Sequence, residues 1–429
     1  MSTPRFDVLI VGAGPAGSVA ALVLARAGAR VALVDKAAFP RDKACGDLIG
    51  PRGVQLLADL DISLANGLPV GDMIVVGPGG RRVRLPAFPG RTYPDHALAL
   101  PRRQFDTALR DAALDAGAEA FIGRAGDPLL GANGLEGFVL STGVELRADV
   151  VVGADGATSR VATAADLIDH QRVLWAFALR AYTEARVDSP HIAFWEPTHG
   201  HALAGYGWLF PGPDGCSNLG LGVGMLSSRT AAATVTRHLP AFVAYLRDLG
   251  LVNDVAHTSP LGGWLKLGMI GTNPARGRVL LVGDAAGLVN PLQGEGIGPA
   301  LTSGRAAAEA ILADPPNAAL HYRRFLRITH AAYMSVAAPA HAALLARPRA
   351  ISTLGRALTV PLFGKAIAGT WSLTWNDLIA GATPRPSAAV ARTVAQLTNL
   401  ATARGDTTRW FTRTLDTRGR APAEGGTPQ

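Results

Sequence analysis

Asp284 follows an apolar run, Val279-Leu280-Leu281-Val282, through Gly283, and a glycine- and proline-rich stretch then reaches Gly298-Pro299-Ala300-Leu301. The order is that of a strand, a Gly-Asp turn, a loop and a helix. A carboxylate at a strand end accepts hydrogen bonds from sugar hydroxyls. Glycines opening a helix let backbone N–H groups, at the positive end of the helix dipole, approach an anionic oxygen. Such a segment suits a ligand that is both polyhydroxylated and anionic.

A second constellation of this kind lies near the start. Residues 6–11 (FDVLIV) read as a buried strand, followed by Gly12-Ala13-Gly14-Pro15-Ala16-Gly17. Residues 18–28 form an alanine- and leucine-rich helix, and residues 30–34 a second strand ending at Asp35 and Lys36. In this βαβ setting GxGxxG is a dinucleotide fingerprint. Gly12 permits the tight turn, Gly14 lets a pyrophosphate meet the helix start beside Ala16, and Gly17 allows close helix–strand packing. Asp35 suits a ribose hydroxyl pair rather than a 2′-phosphate. A further strand–Gly-Ala-Asp-Gly turn at 153–156 adds Asp155 as a candidate at the dinucleotide.

The elements around these motifs follow from pattern. Residues 39–53 are too polar and glycine-rich for a buried element, and 98–116 read as a helix carrying Arg102. Residues 73–76 and 82–85 form a hairpin about Gly77-Pro78-Gly79-Gly80, and 137–146 a strand pair leading to 150–152. From about 165 to 275, short alternating runs with aromatic residues imply an antiparallel sheet. Within it, Gly220–Gly224 is not a second fingerprint, because no clear helix opens after it. Tyr206 and Trp208 flank Gly207 and face one side of a strand. Alanine-rich helix resumes at 298.

The fold class expected is α/β: a Rossmann-type dinucleotide-binding domain interwoven with an antiparallel β-sheet substrate domain, plus an α-helical C-terminal region. The binding domain takes residues 1–65, 97–165 and 275–320, and the sheet domain 66–96 and 166–274. Helices fill 321–417, and 418–429 form a disordered tail.

Composition sets outer bounds. The chain has 429 residues, 48% hydrophobic and 17% charged, enough for two or three lobes. Cys45 and Cys216 lie in unrelated contexts, and no zinc-type spacing occurs. Asp7 and the glycines after it argue against a signal peptide, and no run of about 20 apolar residues exists. A cytoplasmic protein is expected. From Pro315 onward thirteen Arg and one Lys face three Asp and one Glu, leaving −2 on the rest of a chain whose net charge is +8. That basic tail suits a solvated helical face or peripheral contact with an anionic membrane. No nucleic-acid reading module accompanies it.

Together these motifs resemble the FAD-dependent, aromatic hydroxylase-type flavoprotein monooxygenase superfamily. Three local motifs resemble its geranylgeranyl reductase-like branch: residues 40–47 (PRDKACGD), 206–211 (YGWLFP) and Asn290-Pro291 through Gly294-Glu295-Gly296-Ile297. The resemblance spans roughly residues 5–325. It implies FAD, with adenosine near Asp35 and Lys36, pyrophosphate over Gly12–Gly17 and ribityl near Gly283 and Asp284. Pro291, Gly294, Gly296 and Ile297 would pass the pyrimidine side of the isoalloxazine, and Arg102 would contact the cofactor. Cys45 and Gly46 would approach the flavin face, and Tyr206 and Trp208 would line the substrate cavity.

Reduced flavin supports two chemistries here. It can pass hydride to a carbon–carbon double bond, a proton coming from solvent or a side chain such as Asp47 or Glu295. It can instead activate oxygen to hydroxylate or epoxidise an apolar natural product, and fold alone does not choose. Halogenation needs an active-site lysine, yet the four lysines are Lys36, Lys43, Lys266 and Lys365, none in the hairpin region. Reduction of an isoprenoid or prenyl-quinone double bond is the leading expectation, with Cys45, Asp47, Tyr206 and Trp208 as catalytic candidates and no metal. A flavin-binding lipid carrier or interaction protein is the non-enzymatic alternative. No second fingerprint appears, so electrons are expected from transient NAD(P)H, another external reductant or an electron-donor protein.

Overall fold

The computed structural model describes residues 5–360, apart from 88–92, 133, 201–202, 226–231, 254–258 and 346. The β-branched runs at the start assemble a parallel core. Strand Arg5–Val11 pairs in parallel with Val31–Asp35 on one side and Glu145–Gly153 on the other. Glu119–Ile122 and Val279–Leu281 extend the parallel set at its two ends. The inner strands of this set are largely buried, as parallel strands covered by helices must be, whereas the edge strand Glu119–Ile122 is mostly exposed. Helices Pro15–Arg26 and Ile297–Ala313 pack against each other here, with Ala16 touching Gly304 and Gly283.

A second, seven-stranded sheet holds Leu261–Leu267, Leu174–Thr183, Ser217–Met225, Gly205–Pro211, His191–Ala193, Met73–Val76 and Arg82–Leu85, in that order. Pairing is antiparallel except where His191–Ala193 runs parallel to Met73–Val76. One face packs on helix Ala232–Asp248, an element the sequence reading did not contain. Its buried stripe, Val235, Leu239, Phe242, Val243 and Leu246, has helical spacing. Gly207 is required beneath it, since a Cβ there would overlap the Phe242 ring. Gly220–Gly224 is a stretch of strand, so it is no fingerprint, although the reason differs from the expected lack of a following helix.

Two further expectations are corrected. Residues 39–53 do hold buried structure: strand Leu48–Ile49 and the start of helix Pro51–Asp59. The strand joins Ala97–Ala99 and Leu68–Val70 in a third small sheet. The helix read at 98–116 is Arg102–Asp115, because Pro101 caps it and restrains the residue before it to extended backbone. After Ile297–Ala313, helices Ala318–Leu326, Ala332–Leu345 and Pro348–Leu358 continue the chain. The expected helices of 361–417 and the tail of 418–429 lie outside the described residues. No described helix is long and apolar enough to cross a membrane.

Candidate active site

At the first fingerprint the backbone leaves no room for side chains. Gly12 has φ +106°, and a Cβ on it would overlap the Ala154 carbonyl; one on Gly17 would overlap the Gly12 carbonyl oxygen. These contacts press the start of helix Pro15–Arg26 against two strand ends. Its N-cap, Gly14, offers no side-chain acceptor, so the first-turn amides suit an external anion. The Ala16 side chain is packed inward, which restricts it to a backbone role. Asp35 accepts the Ala13 and Ala37 N–H groups, each at 3.0 Å. Arg41, which sequence reasoning missed, joins Asp35 at 3.4 Å and Asp106 at 2.9 Å and lies over Gly14. The cradle therefore fits a pyrophosphate with an adenosine on its Asp35 side.

The second constellation is a folded unit. Gly283–Ala286 is a 3-10 turn whose Gly283 N–H donates to Ser303 Oγ at 3.0 Å. Asn290 Oδ1 gathers the Leu292 and Gln293 amides and the Tyr333 hydroxyl, shaping the loop that carries Pro291, Gly294 and Gly296. Lys43 Nζ lies 3.5 Å from Asp284. Lys266 is fully buried and donates to the Ala285 carbonyl at 2.6 Å, fastening the second sheet to this turn. Burial pushes its ammonium down to about 8.

Between the turn and the second sheet lies a cavity of about 500 Å³ with a predominantly apolar lining. Most of its floor is glycine and alanine, with His341 and Leu345 packed over Gly224. Gly222, Ala178 and Gly263 are in register across three strands, with Gly224, Ala176 and Leu265 in register beside them. Tyr206, Trp208 and Phe210 form one wall, as their alternation with Gly207 and Leu209 requires. Cys45, Gly46, Arg102, Asp284, Pro291 and Gly294 reach it from the dinucleotide side, together with Gly296 and Ile297. Helices Ala332–Leu345 and Pro348–Leu358 close the far side with leucines and His341.

Several sequence-derived candidates are placed differently. Asp47 does not line the cavity: it is 4% exposed, at φ +62°, and burial pushes its carboxyl up. Its oxygens accept Tyr182 Oη at 2.6 Å, Asn218 Nδ2 at 2.8 Å and the Arg102 N–H at 3.3 Å. Its place is to hold the loop, not to meet a ligand. Arg102 lines the cavity, but its guanidinium is clamped twice, at 2.7 Å, by buried Asp106. Asp155 directs its carboxylate to Ser159 and to the Arg160 and Val161 amides, at the start of a short helix. Lys36 is exposed and outside the cavity.

Asn218 is the buried residue the sequence did not flag. Its Oδ1 accepts Trp208 Nε1 at 2.8 Å, while Nδ2 donates to the Cys45 carbonyl and to Asp47, each at 2.8 Å. One side chain thus fixes both the aromatic wall and the Cys45 loop. Asn218→Leu strands three buried polar partners, and each such orphan costs about 1–3 kcal/mol. Denaturant unfolding of the variant is expected to lose about 3 kcal/mol; a loss under 1 kcal/mol would show that the network does not hold the loop.

A Rossmann cradle, a Gly-Asp turn at a helix start and an apolar cavity on a second sheet define an FAD-binding oxidoreductase. Residues 5–190 match the FAD binding domain family. The chain is 37% identical over 325 residues to a menaquinone reductase of Mycolicibacterium smegmatis, covering 71% of this chain and 76% of the relative. It is 33% identical over 333 residues to a digeranylgeranylglycerophospholipid reductase of Methanopyrus kandleri, covering 73% and 80%. A geranylgeranyl bacteriochlorophyll reductase-like structure from Thermoplasma acidophilum superposes with a TM-score of 0.70 at 23% identity, covering 90% of this chain and 98% of that one. The chain belongs to the geranylgeranyl reductase-like family of FAD-dependent oxidoreductases.

Proposed function

We propose that this protein reduces carbon–carbon double bonds in the isoprenoid chain of a lipid or prenyl quinone. The observation that carries this is the cavity floor. A floor largely of glycine and alanine, walled by aromatic and aliphatic side chains, suits a linear, methyl-branched run of isoprene units and offers it no hydrogen bonds. The names of the relatives, which are reductases of a menaquinone and of a geranylgeranylated phospholipid, support the same class.

When bound, FAD supplies a two-electron carrier able to give up hydride. The chain does the rest. The amides opening helix Pro15–Arg26 would take the pyrophosphate, and Asp35 would face the adenosine ribose. Asp284, now 3.5 Å from Lys43, would accept the ribityl hydroxyls. The helix that starts at Ile297 would offer its positive end to the pyrimidine edge of a bound flavin, where the reduced form is anionic. Tyr206, Trp208 and Phe210 exclude water along the aromatic wall. Electrons are read as arriving from NAD(P)H or an electron-donor protein that meets the flavin transiently.

The basic C-terminal region is read as the membrane-facing side, reached peripherally. Within its described part, exposed Leu320 and Ile328 stand beside Arg324 and Arg327, apolar tips among cations.

The test is anaerobic reduction of a polyprenyl panel by dithionite-reduced protein, with product mass as readout. A gain of two hydrogens per turnover without oxygen is the expected result. Gain of one oxygen atom, only in air, would replace the reading with monooxygenation; tight lipid retention with no turnover would replace it with a carrier.

A further inference from the structure

Saturating a double bond takes a proton as well as a hydride, and the cavity contains few groups able to give one. Arg102 is locked to Asp106, and Lys43 lies against Asp284. Trp208 gives its N–H to Asn218, and Tyr206 gives its hydroxyl to the Gln293 carbonyl. Burial pushes the Cys45 thiol up, away from acid strength at neutral pH. His341 has a buried Nε2 without a hydrogen-bond partner, and burial pushes it down to about 4, so its acid form is scarce.

Glu295 differs from all of these. It lines the cavity between Gly294 and Gly296, and among the described residues only Oε1 is engaged, accepting the Gly298 N–H at 2.6 Å. That bond anchors the carboxyl at the start of helix Ile297–Ala313, the element expected along the flavin. Resting on the reductase reading above, we propose that Glu295 is the catalytic acid that protonates the substrate double bond. Burial pushes its carboxyl up to about 7, against the opposing pull of the Gly298 amide and the Arg52 charge. The ionisable groups around it are Arg52 from helix Pro51–Asp59, Asp284 from the Gly-Asp turn, Tyr206 from the second sheet and Tyr333 from helix Ala332–Leu345. An acid in this range is half protonated near neutrality and readily refilled.

The step balances as follows. The π pair forms a C–H bond with the Glu295 proton, and the broken O–H bond leaves a carboxylate. The other alkene carbon takes hydride from the two-electron-reduced flavin, which is oxidised. Water returns the proton to Glu295, and the external reductant returns two electrons to the flavin together with a proton, its own or one from solvent.

Glu295→Gln keeps an acceptor for the Gly298 amide and removes the acid. Its anaerobic reduction rate is expected to fall by about 10²–10⁴-fold, with flavin affinity preserved. The wild-type rate is expected to decline as pH rises through about 7, and the variant to lose that step. Independently of turnover, the wild-type apoprotein should show a protonated-carboxyl infrared component that disappears as pH rises through about 7 and is missing from the difference spectrum of Glu295→Gln, whereas any band from buried Asp47 is common to both proteins. A variant that binds flavin and reduces substrate within threefold of wild type, or that keeps that pH-dependent component, overturns the assignment while leaving the reductase reading intact. Wild-type protein that reduces no double bond overturns both.

Discussion

Gly17→Ala is expected to yield protein that stays colourless after reconstitution with FAD. The cause is steric and lies in the backbone. A Cβ at Gly17 would overlap the Gly12 carbonyl oxygen, and the same site presses on the Ala154 side chain. None of these atoms can turn aside as a long side chain would. The helix start must lift off the strand ends, and its first-turn amides then miss the pyrophosphate. Losing a set of oriented anion contacts worth about 4 kcal/mol weakens flavin binding about a thousandfold. Absorbance near the flavin maximum, measured beside circular dichroism and thermal unfolding, separates lost binding from lost folding. A folded Gly17→Ala protein with wild-type flavin content would remove the cradle from the cofactor site.

Ala178→Trp is expected to give the opposite phenotype: a yellow protein that does not process its substrate. Ala178 lies mid-floor, between Gly222 and Gly263 on neighbouring strands. An indole projecting there fills space that an isoprenoid chain needs, and it does so away from the Gly12–Gly17 cradle. Flavin content should match wild type, while anaerobic reduction of the best polyprenyl substrate falls by about a hundredfold, the equivalent of ~3 kcal/mol. Unchanged turnover by a flavin-replete Ala178→Trp protein would move the substrate out of this cavity. The pair of variants thus divides cofactor from substrate, since each removes one and spares the other.

How much of this could be read in one dimension depends on the range of the interaction. The parallel core was legible because Gly12, Gly14, Gly17 and Asp35 act within one local βαβ unit. The same holds for the Gly-Asp turn at Asp284 and for the alternation that sends Tyr206 and Trp208 to one side. Helix Ala232–Asp248 was missed although its stripe from Val235 to Leu246 has helical period; the strands on either side drew the whole region into one sheet. Asp155 and Asp47 misled because a carboxylate in a glycine-rich turn looks the same whether it serves a ligand or its own backbone. Asn218 could not be found at all. Its value comes from touching the Cys45 carbonyl, 173 residues away in the chain, and no local pattern encodes that meeting.

The two helices that close the cavity, Ala332–Leu345 and Pro348–Leu358, follow every residue of the dinucleotide fold in the chain. During synthesis the redox half of the molecule can therefore be complete before the greasy half is sealed. In evolution the same order acts as a division of labour. Leu344, Leu345, Ile351 and Leu358 set how far the hollow extends, and they can be exchanged without touching a flavin contact. On the reductase reading proposed above, the residues that bound the hollow come late in the described chain and the dinucleotide cradle early, so a descendant could change what it accepts while keeping how it reacts.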